Sequence, residues 1–148
     1  MINYFEEIGK GQKNSGSNAF AAASWLALAI GSVGYITGLW NAELLNLEEK
    51  GFYLIALLFG LFSAVSVQKT VRDKMEEIPV SGIYYGICWA ALCLSILLMG
   101  VGLYNTESLE LNEKGFFVMS FVLSLFASVA VQKNTRDALS DQKLSETR

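Results

Sequence analysis

Two stretches of the chain carry the same polar residues at the same spacing: Gln68, Lys69, Arg72 and Asp73, then Gln132, Lys133, Arg136 and Asp137. On a helix, Gln68 and Arg72 lie four apart, as do Lys69 and Asp73, so each pair shares a face. Each set closes a long apolar run. Basic side chains in that place snorkel to lipid headgroups, and an Asp beside them closes a surface ion pair, which makes an interfacial collar. The same spacing also suits a lipid-headgroup or partner-protein contact. Four cations brought to one surface attract an anionic group, the two Gln add neutral donors, and the two Asp orient the cations. A collar alone does not account for Gln and Asp in both copies.

Little else in the chain suggests chemistry. There is no histidine, which removes Ser-His-Asp, Cys-His and histidine-based metal arrangements. No catalytic residue, cofactor-binding residue or metal-ligand set is read from the sequence, no cofactor is implied, and the expectation is a protein that is not an enzyme. Glu43, Glu48 and Glu49 of one outer connection and Glu107, Glu110 and Glu113 of the other read as a solvated acidic face, with cation binding the sharper alternative. Cys88 and Cys93 sit on different sides of one helix and imply no disulfide. The glycines form no phosphate-binding loop. A net charge of −3 implies no nucleic-acid partner. Two stripes at intervals of four remain: Ala56, Gly60 and Ala64, and at the equivalent positions Ser120, Ser124 and Ser128. Small residues so spaced let helix backbones approach closely in lipid. They read as a helix-packing seam, with a substrate path as the alternative.

The elements that must carry these residues follow from where charge is missing. Charged residues make up 17% of the chain, against about a quarter in a soluble domain. No Asp, Glu, Lys or Arg occurs in residues 14–41, 51–68, 79–106 or 115–132. A bilayer core about 30 Å thick needs roughly 17–25 apolar residues in a helix. The sequence therefore predicts four transmembrane helices at about 19–40, 51–68, 83–104 and 115–132, an all-α integral membrane fold. A soluble bundle would need a charged face on each helix, and these segments have none.

The four spans form two copies of one unit. Residues 38–73 align with 102–137 at an offset of 64 without a gap, and about half of the positions are identical. Trp25 and Trp89 extend the same register into the first and third spans. The predicted organisation is a segment 1–18, a first two-helix repeat 19–77, a second repeat 78–139 and a tail 140–148. Residues 1–18 read as a weakly ordered terminus with linker composition over 9–18; a short amphipathic helix through Ile2, Phe5 and Ile8 is the alternative. The connections 41–50 and 105–114 are short and predict antiparallel helical neighbours. Glu49 and Glu113 are placed at helix starts, Ser81 as an N-cap, and Pro79 as the stop after a helix running to Glu77. Trp40, Tyr104, Phe52, Tyr53, Phe116 and Phe117 read as an aromatic belt at one interface, with Tyr84 and Tyr85 at the other.

The hairpin with Gly-Leu-Trp-Asn-Ala-Glu, Glu-Lys-Gly-Phe/Tyr, Leu-Phe-Ser-Ala and Val-Gln-Lys-x-x-Arg-Asp, and its second copy, resemble the YiaA/YiaB two-helix family of bacterial inner-membrane proteins. The resemblance covers roughly residues 20–137 and weakens at 108–110. It implies place and topology, a four-span inner-membrane protein, and carries over no functional residue.

Orientation follows from the basic residues. Lys10 and Lys13, Lys69, Arg72 and Lys74, and Lys133, Arg136, Lys143 and Arg148 lie on one side; only Lys50 and Lys114 lie on the other. Nine against two, all in short segments, predicts both termini and the middle connection in the cytoplasm. Each repeat has two spans, so the repeats share one orientation and an axis along the membrane normal. The expected role is a non-catalytic accessory, scaffold or membrane-stress component, with an oligomeric channel or transporter as the alternative. No ionisable residue lies mid-span, which weighs against an ion-coupled transporter. Expected partners are membrane lipid and a second copy or another membrane protein. In a chain lacking Cys88 and Cys93, single cysteines at Asn46 and Asn112 should react with an impermeant maleimide added from the periplasm. Labelling of a cysteine at Ser81 from that side would reverse the orientation.

Overall fold

The computed structural model describes the backbone of residues 2–146 and the side chains of residues 18–139. It holds four helices: α1 (Ile2–Asn41), α2 (Leu47–Met75), α3 (Gly82–Asn105) and α4 (Leu111–Glu146), and no strand among the described residues. All four contain segments long and apolar enough to cross a membrane. The chain is a multi-pass, all-α membrane protein.

Helix ends differ from the sequence reading in ways that local chemistry explains. α1 is continuous from Ile2, where a loose N-terminal segment was expected, and α4 runs to Glu146, into the tail 140–148. Extending a nucleated helix adds one hydrogen bond per residue without a new nucleus. The faces of Ile2, Phe5 and Ile8 lie outside the described side chains. α2 begins at Leu47, one turn before the predicted span. The Asn46 side chain accepts from the Glu49 N–H at 2.8 Å and the Glu49 carboxylate accepts from the Asn46 N–H at 2.9 Å, a capping box. At the start of α4 one of these two bonds is made, with Glu113 accepting from the Glu110 N–H at 2.8 Å.

At its other end α2 stops at Met75, two residues earlier than expected. Glu77 takes φ 59°, the Ile78 N–H donates to the Asp73 carbonyl at 2.8 Å, and the Glu77 N–H donates to Lys74 at 3.4 Å. That is a Schellman closure, and Pro79 only follows it. Ser81 does occupy the N-cap position of α3, but its side chain makes no capping hydrogen bond.

The main departure from expectation is which helices pair. The two helices of each repeat barely touch. α1 packs along α4 and α2 along α3, with α2 against α4 at the centre. Short loops set the helix directions; close packing chose the neighbours. An added Cβ at Gly31 would meet the Ser124 backbone nitrogen at 3.0 Å and the Ser120 carbonyl at 3.2 Å, so α1 and α4 meet at backbone level. Nearer the loops, Gly38 of α1 lies under the Phe116 ring of α4. Gly102 of α3 lies under the Phe52 ring of α2. These contacts are the same pair with the repeats exchanged, as an isologous two-fold arrangement requires. α2 and α4 run parallel, so the axis lies along them.

The core sits at the loop end. Tyr35 is fully buried and donates to the Tyr53 carbonyl at 2.9 Å, with the sulfur of Met99, its own repeat-mate, at 3.5 Å. Tyr53 and Phe117, also repeat-mates, stack at 6.1 Å. Tyr53 and Thr106 share a hydroxyl–hydroxyl hydrogen bond. Tyr53 and Phe117 are thus core residues and not part of the aromatic belt, whereas Trp40 and Tyr104 are 82% and 87% exposed. Position 1 of the Phe/Tyr pair faces lipid and position 2 faces in, which a linear belt reading could not separate.

Gly31 and Gly34 separate seam from surface. The nearest atom to an added Cβ at Gly34 is a Phe116 ring carbon at 3.8 Å. Gly31→Ala should therefore cost about 1–3 kcal/mol more than Gly34→Ala, since both gain the same helix propensity. Reversible unfolding of each variant in mixed micelles measures the difference. Equal effects would place α4 elsewhere.

Candidate functional site

The duplicated polar set sits near the end of α2 and at the matching level of α4, on the side of the bundle opposite the acidic loops. Its members interlock across the repeats. Arg72 of the first repeat lies 3.3 Å from Asp137 of the second, and Arg136 of the second lies 3.2 Å from Asp73 of the first. Glu76 joins both: it accepts from the Arg72 Nε at 2.6 Å and lies 3.4 Å from the Arg136 guanidinium. Glu76 was not singled out from the sequence because its repeat-mate is Ser140, so the duplication does not mark it. Its position four residues after Arg72 is the signal that would have found it.

Gln68, Lys69, Arg72, Gln132, Lys133 and Arg136 ring a void between the two helices, in which there is no room for a water molecule. The Gln132 Oε1 is buried there without a hydrogen-bond partner among the described residues. A phosphate therefore does not fit between all four cations. Lys69 and Lys133 are exposed, and neither has a carboxylate within 4 Å among the described residues.

The small-residue stripes are buried as a set. Ala56, Gly60 and Ala64 are covered, and the atoms nearest to Gly60 belong to Phe121 and Leu125 of α4. Ser120, Ser124 and Ser128 are covered as well. The Ser124 hydroxyl donates to the Ser120 carbonyl at 2.7 Å, and Ser32 of α1 donates to Ser124 at 3.4 Å. Ser128 donates to the Leu125 carbonyl at 2.7 Å. Farther along the same seam, Asn134 donates to Ser24 of α1 at 3.1 Å. The three serines are thus buried within the bundle, with Ser124 reaching across to α1, and do not line a channel among the described residues.

Beside the polar set runs an open groove. Its apolar part, of about 640 Å³, is lined by α2, α3 and α4 through residues such as Val67, Trp89, Leu92, Phe121 and Leu125. A second part of about 680 Å³ shares Gln68, Val71, Phe126 and Val129 with the first and ends at Arg72, Glu76, Lys133 and Asp137. The groove opens because α3 and α4, though joined by a short loop, diverge. Among the described residues no group of His, Cys, Asp and Glu is arranged to hold a metal ion.

The family model described as the yiaA/B two helix domain matches the chain twice, over residues 20–73 and 84–137. The chain belongs to the YiaA/YiaB two-helix family. It is 56% identical over 122 residues to the inner membrane protein YiaA of Escherichia coli (strain K12), covering 82% of this chain and 83% of that one. It is 39% identical over 49 residues to the uncharacterized membrane protein YubF of Bacillus subtilis (strain 168), covering 33% of this chain and 56% of that one. No solved structure matches. The two YiaA/YiaB matches end on Asp73 and Asp137, so the interlocked carboxylates close both units.

Ion pairs open to solvent contribute about 0–1 kcal/mol singly, and Asp73–Arg136 is only part-buried. A double-mutant cycle on Asp73→Asn and Arg136→Gln should give a coupling of a few tenths to about 1 kcal/mol in low salt, shrinking in high salt. Zero coupling would leave the pair as a solvated collar.

Proposed function

We propose that this YiaA/YiaB-family chain is a non-catalytic component of the bacterial inner membrane with an accessory, scaffolding or membrane-stress role, and that both its termini are cytoplasmic. The observation that carries this reading is the fate of the serine stripe. Ser120, Ser124 and Ser128 are the polar residues a water path would need, and they are buried within the bundle, with Gly31 and Ser32 of α1 against Ser124. Polar side chains at such interfaces serve as helix glue in lipid. The relative named as an inner membrane protein supports the location. The excess of basic residues at the end bearing the termini supports the orientation.

Reconstitution into liposomes tests it. Vesicles containing the purified chain should release entrapped ions and small solutes no faster than protein-free vesicles. Flux above that background, lost on Ser120→Ala, would establish the channel or transporter instead.

A further inference from the structure

We propose that the groove along α2 and α4 holds one acyl chain of a phospholipid whose phosphate rests on Lys133. The groove has the two chemistries such a ligand needs, in the right order. Its inner part is lined by Val67, Trp89, Leu92, Phe121 and Leu125, all apolar. From Val118 to Asp137 the groove wall on α4 rises by about 28 Å at 1.5 Å per residue, enough for a chain lying along the helices. Its mouth carries Lys133. Arg72 beside it is held by Glu76 and Asp137. The Lys133 ammonium has no carboxylate within 4 Å among the described residues, so it is the mouth cation left for an anion.

Its floor is closed where α2 and α4 touch, and α3 stands off from α4 on the far side. A single hydrocarbon chain lies along that floor on Phe126 and Val129. The groove also faces the bilayer: Val122 and Phe126 on its wall are exposed, so a lipid enters sideways without opening the bundle. Its repeat-mate Lys69 does not line this groove. That gives an internal control of equal charge and equal depth.

The test measures phospholipid retained by the full chain after extraction and exhaustive detergent washing, by mass spectrometry of the intact complex. The wild-type chain should keep one phospholipid. Lys133→Gln should lower the retained fraction several-fold, and Val129→Phe, which fills the floor, should do the same. Lys69→Gln should retain lipid as the wild type does. Circular dichroism and thermal unfolding of each variant check that the bundle is intact. Washed protein mixed with vesicles of phosphatidylglycerol should recover the lipid, and millimolar inorganic phosphate should not displace it. Equal retention by wild type and Lys133→Gln overturns the proposal, as does displacement by free phosphate, which would make Lys133 a simple anion site. So does a disulfide-linked dimer through Val122→Cys, in a chain lacking Cys88 and Cys93 and without retained lipid, because the groove would then seat a second copy.

Discussion

Apolar helices in a bilayer gain nothing from touching one another that lipid tails do not already supply, so pairing depends on how closely two backbones can come. Here that approach is set at Gly31, where α1 presses on the backbone of α4 at Ser120 and Ser124. A side chain at Gly31 would hold the helices apart and forfeit the dispersion contacts along the whole seam. The Ser124 hydroxyl, which would be costly in hydrocarbon, donates to its own helix and accepts from Ser32. Close approach and hydroxyl satisfaction therefore occur at one place and reinforce each other.

From that seam the rest of the arrangement follows. If α1 belongs to α4, then α3, its repeat-mate, belongs to α2, and the two repeats clasp each other about a common axis. Neither repeat completes its packing alone. Tyr35 meets Met99, Tyr53 stacks on Phe117, and Gly38 and Gly102 each seat a phenyl ring from the opposite repeat. The loop end carries this aromatic core. The other end is closed by Arg72 with Asp137 and Arg136 with Asp73, a polar counterpart of the same exchange. The duplication of the motif within the chain gives each Arg the Asp of the other copy as a partner.

The clasp also creates the open groove. Helices joined by a short loop diverge because each is engaged by the other repeat, and the gap between α3 and α4 is left to the bilayer. The duplicated motif then has two different jobs. Its Arg and Asp residues bind the repeats together, while its Lys residues stay exposed at the rim. One spacing in the sequence serves both, which is why a collar reading and a site reading each accounted for part of it.

What the sequence by itself determined is what depends on composition and on neighbours along the chain. Four spans, the two-copy organisation and the membrane class follow from uncharged runs and a 64-residue offset, because a bilayer penalises charge wherever it falls. The start of α2 at Asn46 and Glu49 was nearly legible for the same reason: a capping box is local. The stripe of small residues announced a seam but not its partner. Only the tertiary structure decided that Ser124 faces α1, that Tyr53 and Phe117 turn inward, that Glu76 bridges both guanidiniums, and that hairpin neighbours stand apart. Each of these is a choice among helix faces and partners of similar apolarity. In lipid that choice is made by fit between surfaces distant in sequence, and no residue pattern within one helix records it.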